Sequence, residues 1–175
     1  MEISSLRKSS LEPFDNLALI RRYFAAVKAM DQNALKGTPV EPKTIMALWD
    51  KGGQLAIHGP DPIGEKQFRG TKELSGFYSR RARGVDGELK VNLSRVNTAQ
   101  SKSGEQVTVS GSRYVVAKSG EGMQVPFAHK FTIADGRITH LEISVGKAGP
   151  TEIAPIGALD VADLGRLSAM AWMVA

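Results

Sequence analysis

Two alternating runs meet at Asp135-Gly136, and that junction constrains the fold more than any other stretch of the chain. Before it, Phe127, His129, Phe131 and Ile133 share one parity; after it, alternation resumes from Ile138 to Val145. A period of two sends successive side chains to opposite faces of a sheet. Asp-Gly supplies the residues that a two-residue hairpin turn demands. Upstream, Leu89, Val91 and Leu93 alternate with polar residues, as do Val107 and Val109, and then Val115 after a Gly111 that suggests a bulge. Val96 and Val116 fall on the parity opposite most of these positions, which predicts a covered outer face.

The first half has a different period. Pro13 stops a loose leader, residues 1–13, and Asp15 or Asn16 can cap the helix that follows. Leu17, Ile20, Phe24 and Val27 form an apolar stripe at helical spacing, widened by Leu19, Tyr23, Ala26 and Met30. So wide a face suits a helix lying on a sheet. A short helix is expected from Lys43 to Trp49, a strand over Gln54–His58, and a third helix from about Thr71 to Gly84. Helices first and long antiparallel strands after make an α+β domain. Residues 147–175 read as a tail over the sheet or a dimer interface, with a helical apolar face at Leu159, Leu164, Leu167 and Met170.

Composition removes several function classes. The 175 residues suffice for one domain with a core, and 42% hydrophobic against 23% charged residues is ordinary for a globular protein. Without cysteine there is neither a disulfide framework nor a thiolate metal site. His58, His129 and His140 lack the close spacing of a metal triad, so no metal is expected. A charged N-terminus and the lack of a long apolar run point to a cytoplasmic protein with no membrane partner. The net charge of +5 concentrates at Arg80-Arg81-Ala82-Arg83, where cations complement a helix C-terminus. No aromatic-basic stripe accompanies it, so nucleic acid is not an expected partner. Phosphate loops, nucleophile elbows and dinucleotide fingerprints do not occur, and no cofactor is expected.

Asp61-Pro62-Ile63-Gly64, followed by Phe68-Arg69-Gly70 and a helix carrying Phe77-Tyr78, resembles the ketosteroid-isomerase and SnoaL-like branch of the NTF2-like superfamily. Phe131 to Ile138, with its Asp-Gly turn, is similar to that family's penultimate hairpin. The resemblance covers residues 14–146, the extent of the expected domain. The resemblance implies a cone: a curved, mainly antiparallel sheet wrapped around the long N-terminal helix. It also implies a homodimer and a small apolar, polycyclic ligand. A cofactor-free isomerase or cyclase that moves a proton next to a carbonyl is one implied function, and a non-catalytic ligand-binding or dimerisation module is the other.

Carried over by position, Asp61 matches the proton-shuttling base. The segment from Trp49 to Asp61 is a few residues longer than the family's, so a different gap would put His58 or Gly59 there. An Asp before Pro is also a common turn residue. Tyr23, in Arg22-Tyr23-Phe24, matches the oxyanion donor or is a core tyrosine. His129 falls about where steroid isomerases carry the protonated Asp of the oxyanion hole, a carboxylic acid kept neutral by its apolar site. It either donates into a pocket or is simply buried. His58, opposite in parity to Leu55 and Ile57, is a further pocket group or a surface residue. Phe24, Val27, Phe127 and Phe131 would form the apolar wall.

Overall fold

The computed structural model describes residues 15–83, 90–116, 122–147, 149–150 and 159–160. The expected leader lies outside them, as does most of the C-terminal segment. Helix α1, Asn16–Leu35, starts where the sequence placed it: the Asp15 carboxylate accepts from the Ala18 N–H at 2.9 Å. Its inner face buries Leu19, Ile20, Tyr23, Phe24, Val27, Met30 and one charged residue, Asp31. Leu17, expected on that stripe, is exposed instead. Gly37, at φ +69°, ends the helix, and a Cβ there would be strained.

Helix α2 is shorter than expected, Lys43–Met46, and Trp49 opens strand β1, Trp49–His58. The Trp49 ring is buried and its backbone pairs with Ile138, so sheet pairing overrides the helical reading. Strand β2, Glu65–Arg69, returns antiparallel to β1 and leads into helix α3, Gly70–Arg83. Its five alternating residues were too short a run to stand out from the turn before them. Strands β3, Lys90–Ser101, β4, Gly104–Val116, β5, Gly122–Ala134, and β6, Arg137–Val145, form the antiparallel meander. The β5–β6 turn has Asp135 at φ 51° and Gly136 at φ 70°, the two left-handed residues of the expected hairpin.

Strand order is β2-β1-β6-β5-β4-β3, open at both ends. β1 runs parallel to β6; every other pairing is antiparallel. Two short strands from the C-terminal segment join the same sheet. β7, Gly149–Pro150, pairs with β5, and β8, Leu159–Asp160, extends the β3 edge. Leu159 therefore belongs to a strand rather than to the expected helical face, whose other members lie outside the described residues.

Two irregularities explain misread positions. Between Trp49 and Gln54, β1 holds three more residues than the matching stretch of β6. The bulge foreseen at Gly111 lies opposite it, in β3 between Leu93 and Arg95. One extra residue there reverses the parity downstream, so Val96 pairs with buried Val109 on the concave side. It was expected on the outer face. The side chain of Val116 lies outside those described.

Candidate functional site

The concave side of the sheet is closed by α1 and α3. On α1, Tyr23 and Phe24 point to β5, where alternation directs Phe127, His129 and Phe131 inward. The Tyr23 ring lies 5.1 Å from Phe131 and 5.3 Å from Phe24, edge to face in both cases. His129 is fully buried, stacked on Phe24 at 5.6 Å and edge-on to Phe127 at 5.3 Å. Val27 is buried in the same core. Tyr23, Phe24, Val27, Phe127, His129 and Phe131 thus meet in one aromatic-rich cluster.

Three polar residues of the cluster were not anticipated. The Tyr23 and Tyr78 hydroxyls lie 3.0 Å apart, one donating to the other. The Arg81 guanidinium donates to both Asp31 carboxylate oxygens, at 2.6 and 3.1 Å, with both side chains about as buried as the aromatics. Tyr23 and Asp31 are eight residues apart on α1, Tyr78 and Arg81 three apart on α3, so each pair shares a helix face. A lone Asp on an apolar stripe was the available signal. Arg81 was read instead with the solvated cations Arg80 and Arg83, and the structure corrects that.

Burial dominates the electrostatics. Removal from water pushes the Tyr23 phenol up to about 12, and the Tyr78 phenol rises well above its ordinary value for the same reason. Both therefore stay neutral hydroxyls across the physiological range. The Asp31 carboxyl is also raised by burial, an effect that Arg81 only partly offsets.

The remaining expected residues lie elsewhere. Asp61 is exposed, in the turn between β1 and β2. Below it, Gly59 N–H donates to the Gly64 carbonyl and Ile63 packs into the core. His58 lies on the outer face of the sheet, 3.7 Å from Glu65 on one side and 3.7 Å from Glu142 on the other. Its parity relative to Leu55 and Ile57, legible in the sequence, turns it away from the cluster. Among the described residues, no group of three or more His, Asp or Glu side chains is arranged to hold a metal ion. No described helix is long and apolar enough to cross a membrane.

Comparison with known proteins agrees with this architecture. The family model of the SnoaL-like domain matches residues 20–141. Bal32a, from a soil-derived mobile gene cassette, superposes with a TM-score of 0.53 at 20% identity, over 74% of this chain and 88% of that one. An NTF2-like protein from Burkholderia xenovorans gives 0.50 at 16% identity, with the same coverage. At such identities these two likenesses speak for the fold. No curated protein sequence gives a significant match. From the first helix to the last long strand, through the turn and hairpin that suggested it, this chain belongs to the SnoaL-like domain family and has its NTF2-like fold.

Proposed function

We propose that this domain binds a small apolar, ring-containing molecule against the Tyr23–His129 cluster, without turning it over. The observation that carries the reading is the separation of roles. The hydrogen-bonding groups Tyr23 and His129 lie within an aromatic wall, while the candidate base, Asp61, is exposed on a turn outside it. Rings on several sides favour a flat hydrophobic ligand, and a few placed polar groups suffice to orient it.

A second reading is favoured by the chemistry of the same two donors. A carbonyl oxygen directed at a neutral Tyr23 hydroxyl and an imidazole N–H would gain as it became an enolate, because donors in a dry site favour developing charge. Asp61 would then take the α-proton on ligand entry, as in a cofactor-independent isomerase or cyclase.

One experiment separates the two. A Δ5-3-ketosteroid is titrated into the wild type and into Asp61→Asn, following intrinsic fluorescence for binding and conjugated-enone absorbance for isomerisation. Equal binding with no absorbance change in either protein is expected. Turnover by the wild type that Asp61→Asn abolishes, with binding intact, would establish the isomerase. Absence of binding by this and by a polycyclic aromatic ketone would refute both.

A further inference from the structure

On the other side of the sheet, a cleft of about 270 Å³ is lined by Gln54, Ala56, Gln67, Arg69, Glu73 and His140, with Leu55 and Phe68. Register explains it. Gln54 pairs with Arg69 on β2 and with His140 on β6, and Ala56 pairs with Gln67, so these five share the outer face. Ala56 is the only short side chain among them. Flanked by long neighbours it is nearly buried, and the missing bulk leaves the hollow. The long excursion between Trp49 and Gln54 sets this register, since without it another β1 residue would face His140. At the rim, the Glu73 carboxylate accepts from the Arg69 main-chain N–H at 2.7 Å, tying the start of α3 to the end of β2.

We infer that this cleft is a second binding site, which takes a small carboxylate. A guanidinium offers two parallel donors to a carboxylate, and His140, Gln54 and Gln67 add N–H donors on the adjacent strands. Glu73 is already engaged by the Arg69 backbone. The Arg69 side chain is exposed, so it can turn toward a ligand at little cost in desolvation. The site is independent of the concave cluster and of whatever that cluster binds.

Succinate is the probe, with succinamide as its uncharged counterpart, and the side-chain amide NMR signals of Gln54 and Gln67 report occupancy. Succinate should saturate these signals with a Kd on the order of 1 mM, and succinamide should bind at least about tenfold more weakly. Arg69→Gln should weaken succinate by a similar factor, and Arg69→Lys should recover only part of it. Ala56→Leu, which fills the hollow while leaving every charge in place, should also abolish saturation. Tyr23→Phe should leave succinate binding unchanged. Equal binding of succinate and succinamide, or undiminished succinate binding by both Arg69→Gln and Ala56→Leu, would overturn the assignment.

Discussion

Replacing Asp31 with leucine tests whether the pair it forms with Arg81 ties α1 to α3. Both guanidinium nitrogens of the fork reach the carboxylate, at 2.6 and 3.1 Å, and the two side chains are only 3% and 4% exposed. At about 4 Å and an effective dielectric of about 20, two unit charges attract by about 4 kcal/mol. Removing one partner from such a buried pair costs about 3–5 kcal/mol, because the other charge stays behind. A whole domain has only about 5–15 kcal/mol in hand. The two single substitutions should differ. Arg81 cannot shed its proton, so Asp31→Leu strands a permanent charge and takes the full loss. Asp31 can be neutralised, and burial already raises its carboxyl, so Arg81→Met should cost less. Without Arg81, the Asp31 folded value rises further above the unfolded one. Stability of Arg81→Met should therefore be greatest at acid pH and fall as pH rises through that folded value. The double variant Asp31→Leu/Arg81→Met should recover most of the loss, since an apolar pair avoids desolvating two ions. Urea denaturation followed by circular dichroism from pH 4 to 8 provides the cycle. A loss below about 1 kcal/mol for Asp31→Leu, or additive single effects in the double variant, would show that the pair is effectively solvated and refute the argument.

Tyr23 is held at about 12 against an ordinary 10.0; a raised folded value means its stabilising share is complete below pH 10 and lost as pH climbs through 12. About 3 kcal/mol is at stake, so the urea midpoint should drop steeply above pH 10, and less steeply in Tyr23→Phe. Gly104 sits at φ +129°, and a Cβ there would meet the Ile133 carbonyl oxygen; Gly104→Ala should lower stability by about 2 kcal/mol or more, read as a fall in melting temperature. The family resemblance also points to a homodimer, and the outer face offers Arg95, Asn97, Thr108, Lys130 and Glu142 across β3 to β6. A dimer built on these polar rows should give twice the 18.8 kDa chain mass by light scattering at low salt, and dissociate as salt is raised; a chain-sized mass at every salt concentration would exclude it.

The parts of this fold legible in the sequence were those that local chemistry decides. The Asp15 cap, the Asp135-Gly136 turn and the inward parity of Phe127, His129 and Phe131 each follow from a few adjacent residues, and the structure shows all of them. The misread positions depend on partners far along the chain. Trp49 is a strand residue because Ile138 pairs with it. Arg81 is buried because Asp31, fifty positions earlier, supplies its counter-charge. Neither fact can be reached by periodicity, which describes one element at a time.

Val96 shows how one extra residue redirects a side chain. Its parity is opposite to that of Val91 and Leu93, and an uninterrupted strand would have turned it outward as an apolar mark on a dimer face. The bulge between Leu93 and Arg95 moves it to the concave side beside Val109, where it is 41% exposed. The outer face thereby loses its one described apolar argument for a dry interface and becomes a polar surface. The carboxylate cleft lies at its β2 edge, beyond the strands that carry Arg95, Thr108 and Lys130. The consequence is a division between the two faces of one sheet. Aromatic rings and neutral hydroxyls on the concave side suit an apolar molecule, and at the β2 edge of the outer side the Arg69 guanidinium and the Gln54 and Gln67 amides suit a charged one. Because alternation sends successive residues of every strand to opposite faces, a one-residue slip of β1 against β6 would exchange Leu55 with Ala56 and damage both sites at once. The excursion after Trp49 fixes that register, so shortening it by one residue should disrupt succinate binding and core packing together.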